Sequence, residues 1–172
     1  MSLIIFDKDN TIARSKSGQK FINEVDDQEL IPGVKEKCEE LIAQGHTLAI
    51  ASNQGGVAFD FMTYQAASDI VRHSAELIGA DHWEFCPHHP NGTVFDYAVD
   101  SRDRKPGPGM LEKVSFFFSI EDVTFVGDRP EDKQAAKRFG CKFRWAWEYF
   151  GRDEPPDYTS QCPAQTTGRI PG

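Results

Sequence analysis

No stretch of the 172 residues approaches the ~18 consecutive apolar positions of a membrane-spanning helix, so no span is expected. The first residues lack a basic segment followed by a cleavable apolar one. No signal peptide is visible, and a cytoplasmic location is the expectation. Cysteine is scarce: Cys38, Cys86, Cys141 and Cys162 show no paired spacing, which points to reduced thiols rather than a disulfide framework. Positive charge is also in short supply, with 19 Lys and Arg against 27 Asp and Glu, a net charge of −8. That balance argues against broad binding to a nucleic-acid backbone, although a local basic cluster suffices for a single terminal phosphate. Internal repeats are absent. With 39% hydrophobic and 27% charged residues, the chain suits one globular domain with a sizeable core.

What the chain does have is an apolar run, Leu3-Ile-Ile-Phe6, that ends in Asp7-Lys8-Asp9-Asn10-Thr11. Such a run reads as a buried parallel strand, and the carboxyl ends of such strands are where open α/β sheets place ligands. Strand-like and helix-like segments then alternate. A polar excursion, 13–29, precedes a helix opened by Pro32 and stopped by Gly45. A second strand, 46–51, ends in Ser52-Asn53-Gln54-Gly55-Gly56. A helix over 64–78 closes at Gly79, and a third strand falls at 82–86. An irregular stretch, 87–108, ends at Arg104-Lys105-Pro106. A helix after Pro108, a strand at 122–126 with Gly127-Asp128 behind it, and a helix from Pro130 to Gly140 follow. The alternating aromatics Phe143, Trp145, Trp147 and Tyr149 suggest a fifth, edge strand over 141–149. From Gly151 to residue 172 the composition predicts a poorly ordered tail, which leaves 1–150 as the domain.

In a parallel sheet the strand ends carrying Asp7 and Asp9, Ser52 and Asn53, and Asp128 lie along one edge, and Lys105 arrives from a nearby loop. Taken singly, each is an ordinary cap, turn or solvated charge. Together, and in this order, they offer what phosphoryl transfer requires. Asp7 can attack phosphorus and form an aspartyl-phosphate, with Asp9 protonating the leaving oxygen and then deprotonating water. A hard cation such as Mg²⁺ suits Asp7, Asp128 and a nearby backbone carbonyl, and the candidate metal residues are Asp7, Asp9 and Asp128. The Ser52 hydroxyl, a backbone N–H near Asn53, and the Lys105 ammonium can hold the phosphate oxygens.

These four segments, Asp7-Lys-Asp9-Asn-Thr11, Ser52-Asn-Gln-Gly-Gly56, Arg104-Lys105-Pro106 and Gly127-Asp128-Arg-Pro-Glu-Asp132, resemble motifs I to IV of the haloacid dehalogenase (HAD) phosphatases. The resemblance is greatest to the minimal-cap subgroup that includes heptose-bisphosphate phosphatases, histidinol phosphatases and the phosphatase domain of polynucleotide kinase/phosphatases. It implies a doubly wound, Rossmann-like α/β fold with helices on both faces and little or no cap. It also implies Mg²⁺ dependence, Asp7 as nucleophile, Asp9 as acid/base, Ser52 and Lys105 on the phosphate, and Asp128 on the metal.

Two departures stand out. Asn10 occupies a position that is usually glycine in the family, and asparagine tolerates positive φ better than other side chains. Cys86-Pro-His88-His89-Pro looks like the start of the zinc loop of the heptose and histidinol enzymes. The two further cysteines those relatives carry before Arg-Lys-Pro are missing, so no structural zinc is expected. Arg104 is a candidate grip for a second part of the substrate. The expected activity is Mg²⁺-dependent hydrolysis of a small phosphomonoester of the sugar-phosphate or histidinol-phosphate type. A nucleic-acid 3′-phosphate end is the alternative substrate, and a non-catalytic HAD-fold interaction module is the remaining reading.

Overall fold

The structure, a computed structural model, describes residues 1–155. All four residues of β1 (Leu3–Phe6) are buried because both faces of this strand are covered. Ile4 and Phe6 point into one core; Leu3 and Ile5 point into the other. The excursion after β1 is a small antiparallel pair, β2 (Ala13–Ser15) and β3 (Gln28–Leu30), tied to the turn after β1 by a bridge between Asp9 and Ala13. Then come α1 (Val34–Ala43), β4 (Thr47–Asn53), α2 (Tyr64–Ile78), β5 (His82–Cys86), α3 (Gly109–Phe118), β6 (Val123–Gly127), α4 (Pro130–Phe139), β7 (Lys142–Trp145) and α5 (Ala146–Phe150).

The five-stranded sheet runs β5-β4-β1-β6-β7 with every neighbouring pair parallel. Val34, Cys38 and Leu41 of α1, Ile70, Val71, Ala75 and Ile78 of α2, and Ala146 of α5 cover one face; Met110, Leu111 and Val114 of α3 with Ala135 and Ala136 of α4 cover the other. This is the expected doubly wound arrangement, and among the described residues no cap domain is inserted. Each large apolar side chain sealed in these cores contributes about 1.5–3 kcal/mol relative to exposure.

The helix expected over 64–78 has those bounds, with Thr63 accepting the Ala66 N–H at one end and Gly79 left-handed at the other. The segment 141–149 differs from expectation. It is a strand only through Trp145 and then turns into α5, which Gly151 ends at φ 67°. The turn lets Phe150 stack on Phe6 at 5.7 Å and Tyr149 meet the same ring edge-on at 6.0 Å, burial an edge strand could not supply. Of the segment 151–172, Arg152 is held against the turn after β1, donating to the carbonyls of Asn10 and Thr11. Residues 156–172, and Cys162 with them, lie outside the described residues.

Candidate active site

Parallel pairing brings Asp7, Asn53 and Asp128 to one edge, because β4 and β6 flank β1 in register: Phe6 faces Ile50 on one side and Val126 on the other. Asp7 extends the Leu3–Ile5 side of the strand and meets Lys105, whose side chain is 3% exposed. All three of its donors are used within the chain. They go to Asp7 Oδ1 at 2.7 Å, Asp132 Oδ1 at 2.7 Å and the Ala51 carbonyl at 2.9 Å. The Phe125 ring lies 5.2 Å from the ammonium. Asn53 fixes this lysine by its main chain: its Nδ2 donates to the Lys105 carbonyl at 3.1 Å and its Oδ1 accepts the Lys105 N–H at 3.0 Å. Ser52 is buried and its Oγ accepts from Gln54 Nε2 at 2.9 Å. Arg104 donates to the His88 carbonyl at 3.4 Å and lies over Gly55, where a Cβ would sit 3.0 Å from its Nη1.

Asp132, whose role the sequence left open, joins the cluster from the first turn of α4. Its second oxygen, Oδ2, accepts the N–H groups of Asp128 at 3.2 Å and Arg129 at 3.1 Å, so it caps the helix while Oδ1 binds Lys105. Gly127 makes this possible, since a Cβ there would fall 2.5 Å from Asp132 Cβ. The signal in the sequence was an acid four residues after Asp128, behind Pro130 at a helix start. The Thr11 hydroxyl donates to Asp7 Oδ2 at 3.1 Å, with Asp128 Oδ1 at 3.4 Å.

Three buried carboxylates, Asp7, Asp128 and Asp132, thus bring ligand oxygens within 4.8 Å of one another. Their electrostatics reflect the crowding. Burial and the charges of Asp7 and Asp132 push Asp128 well above the ordinary carboxylate range. Burial also acts to raise Asp7, but the Lys105 charge and hydrogen bonds from Asp128 and Lys105 more than reverse it, so Asp7 lies below its ordinary value. Asp132 is pushed up to about 6 by burial and Asp7, against the pull of Lys105. Lys105 is raised, because its two carboxylates outweigh burial. An all-oxygen set with surplus negative charge fits a hard divalent cation such as Mg²⁺. Asp132 Oδ1 takes the Lys105 ammonium and its Oδ2 takes two amides, whereas Asp7 accepts Lys105 on one oxygen and Thr11 on the other, which leaves lone pairs on both for a cation shared with Asp128.

Asp9 stands apart from these three. Its carboxylate takes a 2.6 Å bond from the Lys8 ammonium and its side chain stays 44% exposed. It lines a cleft of about 240 Å³ between the turn and the hairpin, walled also by Asn10, Arg14, Ser15, Gln19 and Lys20. Asn10 has φ 62°, the left-handed conformation anticipated for a glycine substitute.

In the Cys86 loop, Cys86 Sγ is 3.8 Å from His88 Nδ1, and His89 Nδ1 accepts the Asn91 N–H at 3.0 Å with its ring edge-on to Phe59.

The sequence profile of the family described as polynucleotide kinase 3 phosphatase matches residues 2–150. The chain is 31% identical over 140 residues to the D-glycero-beta-D-manno-heptose-1,7-bisphosphate 7-phosphatase of Yersinia pestis, covering 77% of this chain and 73% of that protein. It is 32% identical over 143 residues to the protein of the same name in Escherichia coli strain K12, covering 77% and 72%. The crystal structure of D,D-heptose 1.7-bisphosphate phosphatase from B. bronchiseptica, complexed with magnesium and phosphate, is similar at a TM-score of 0.71 and 24% identity. It covers 91% of this chain and 89% of that one, and at this identity the likeness is one of fold.

Proposed function

Because the chain belongs to the HAD superfamily of phosphatases, in the family described as polynucleotide kinase 3 phosphatase, we propose that this phosphatase removes a phosphate from a small sugar bisphosphate through an aspartyl-phosphate on Asp7. The observation that carries the reading is the buried Asp7–Lys105–Asp132 network beside Asp128 at the carboxyl edge of the sheet. The named activity of relatives 31% and 32% identical supports the sugar.

The residues divide the work as follows. Lys105 and Thr11 hold the two oxygens of Asp7 in place, so the nucleophile is oriented before substrate arrives. Asp7 attacks phosphorus as the bond to the sugar oxygen breaks, and Asp9 gives that oxygen a proton. Asp9 then takes a proton from water, whose oxygen attacks the same phosphorus and releases phosphate with Asp7 restored. A cation held by Asp7, Asp128 and the main-chain carbonyl of Asp9 would offset the phosphate charge and let two anions meet. Ser52 and the N–H of Asn53 receive phosphate oxygens, and Arg104 faces the substrate beside them. The departing sugar occupies the cleft that Asp9 lines, where Arg14 and Lys20 offer cations to its second phosphate.

The test is a substrate panel assayed with Mg²⁺: a heptose 1,7-bisphosphate, hexose monophosphates, histidinol phosphate and a 3′-phosphorylated oligonucleotide. The bisphosphate is expected to show the highest kcat/KM, and Asp7→Asn to abolish turnover while the protein still folds. Preference for the oligonucleotide would overturn the sugar reading; the net charge of −8 weighs against that outcome.

A further inference from the structure

Lys8 separates the two aspartates of the first motif, and its side chain is completely buried. An ammonium removed from water must be paired, or its desolvation goes uncompensated. Its partners are Asp9 Oδ1 at 2.6 Å and Gln28 Oε1 at 3.2 Å. Gln28, on β3, is itself buried and anchored, donating through Nε2 to the Ile70 carbonyl of α2 at 3.0 Å. The alternation of β1 explains the direction. Asp7 follows Leu3 and Ile5 toward α3 and α4, whereas Lys8 follows Ile4 and Phe6 toward α2. The main chain of Lys8 is equally constrained, its carbonyl accepting the N–H groups of Thr11, Ile12 and Ala13 at 3.0–3.2 Å.

We propose that Lys8 is a positioning residue for Asp9: it fixes one oxygen of the acid/base carboxylate, ties it through Gln28 to the hairpin and α2, and leaves the rest of the group open to the cleft. This rests on the assignment of Asp9 as acid/base. When Asp9 passes its proton to the departing sugar oxygen, the O–P bond breaks, an O–H bond forms and negative charge appears on Asp9. The Lys8 ammonium already sits where that charge develops, with no water to rearrange. Because Gln28 pairs with Ser15 across the hairpin, the wall of the leaving-group cleft and the acid share one support.

Leaving-group dependence separates this role from a merely structural one. An alkyl phosphate needs its departing oxygen protonated, whereas p-nitrophenyl phosphate scarcely does. Lys8→Met keeps the length and apolar stem of the side chain without the charge. Its kcat loss on a sugar phosphate is expected to exceed its loss on p-nitrophenyl phosphate by at least about tenfold, with KM on both within about twofold. That lies inside the ~10²–10⁴ that acid–base catalysis supplies. Gln28→Leu, which leaves the Lys8–Asp9 pair but cuts its tether, should show the same selectivity to a smaller degree, and it carries the test if Lys8→Met fails to fold. Equal losses on both substrates, or none on either, would overturn the proposal. Asp9→Asn serves as the control. If that variant lacks the selectivity, the acid/base assignment is at fault; if it shows the selectivity and the Lys8 and Gln28 variants do not, only the positioning role falls.

Discussion

Asn53 and Lys105, 52 residues apart, exchange two hydrogen bonds through the Asn53 amide and the Lys105 main chain. Neither bond touches the ammonium, yet both decide where it is. With its backbone pinned at the end of β4, the lysine can reach Asp7, Asp132 and the Ala51 carbonyl together.

Asn53→Ala is therefore expected to lower both stability and activity. It leaves a part-buried N–H and carbonyl without partners, a cost of about 1–3 kcal/mol each where water cannot replace them. Thermal melting alongside kcat on a sugar phosphate checks this; an unchanged Tm with unchanged kcat would show the clamp to be dispensable.

Lys105→Met should be more damaging than the loss of a surface lysine. It strands Asp7 and Asp132 in a buried site beside Asp128, and breaking such a pair costs about 3–5 kcal/mol. Activity should fall by roughly 10²-fold or more, the scale of losing one preorganised electrostatic contact. A decrease in kcat/KM of less than about threefold would be incompatible with a central place for Lys105.

The carboxylate cluster makes stability depend on pH in a signed way. Asp132 sits at about 6, above the ordinary value of 3.8, so the folded state binds its proton more tightly than the unfolded one. Its contribution is complete below about pH 4 and is lost as pH rises through about 6; Asp128 acts in the same direction. Asp7 is lowered and acts oppositely, contributing above its ordinary value and losing that contribution as pH falls. With Asp128 and Asp132 both opposing Asp7, cation-free protein is expected to lose Tm from about pH 4 to 6. Added Mg²⁺ should raise Tm more at about pH 7 than at about pH 4.5, since protonated carboxyls bind it poorly. A Mg²⁺ effect independent of pH would dissociate the cation from these carboxyls. Chelation with EDTA should abolish turnover.

Arg14→Ala and Lys20→Ala should raise KM for a sugar bisphosphate several-fold while changing KM for the matching monophosphate little. Arg14 already shares Glu29 at 3.0 Å, so Lys20 is expected to give the larger effect. Equal shifts on both substrates would place the second phosphate elsewhere.

Much of this layout was legible in the sequence because it depends on local chemistry. Apolar runs ending in Asp7, Ser52 and Asp128 specify strands and their carboxyl ends, and Pro130 with Gly140 brackets α4. Period-2 aromatics misled at 141–149, since Phe6 offers a ring surface that Tyr149 and Phe150 reach only from a helix. Contacts set by tertiary packing left fainter traces. Asp132 looks like a helix cap until Lys105 is placed beside it, and Lys8 looks solvated until the hairpin delivers Gln28. Arg152, on the carbonyls of Asn10 and Thr11, had no local signal at all.

The strand order carries a consequence for how this protein is made. The ribosome completes β1 before either of its sheet neighbours, which come from residues 47–53 and 123–127. Until the later of these has emerged, one backbone edge of Leu3–Phe6 is open, and the counter-charges of Asp7 are either still untranslated or not yet docked. An apolar edge of that kind invites pairing with another chain. Fragments interrupted before β6 should therefore be chaperone-bound or insoluble rather than partly active, and slowing translation across 90–127 should lower the soluble yield.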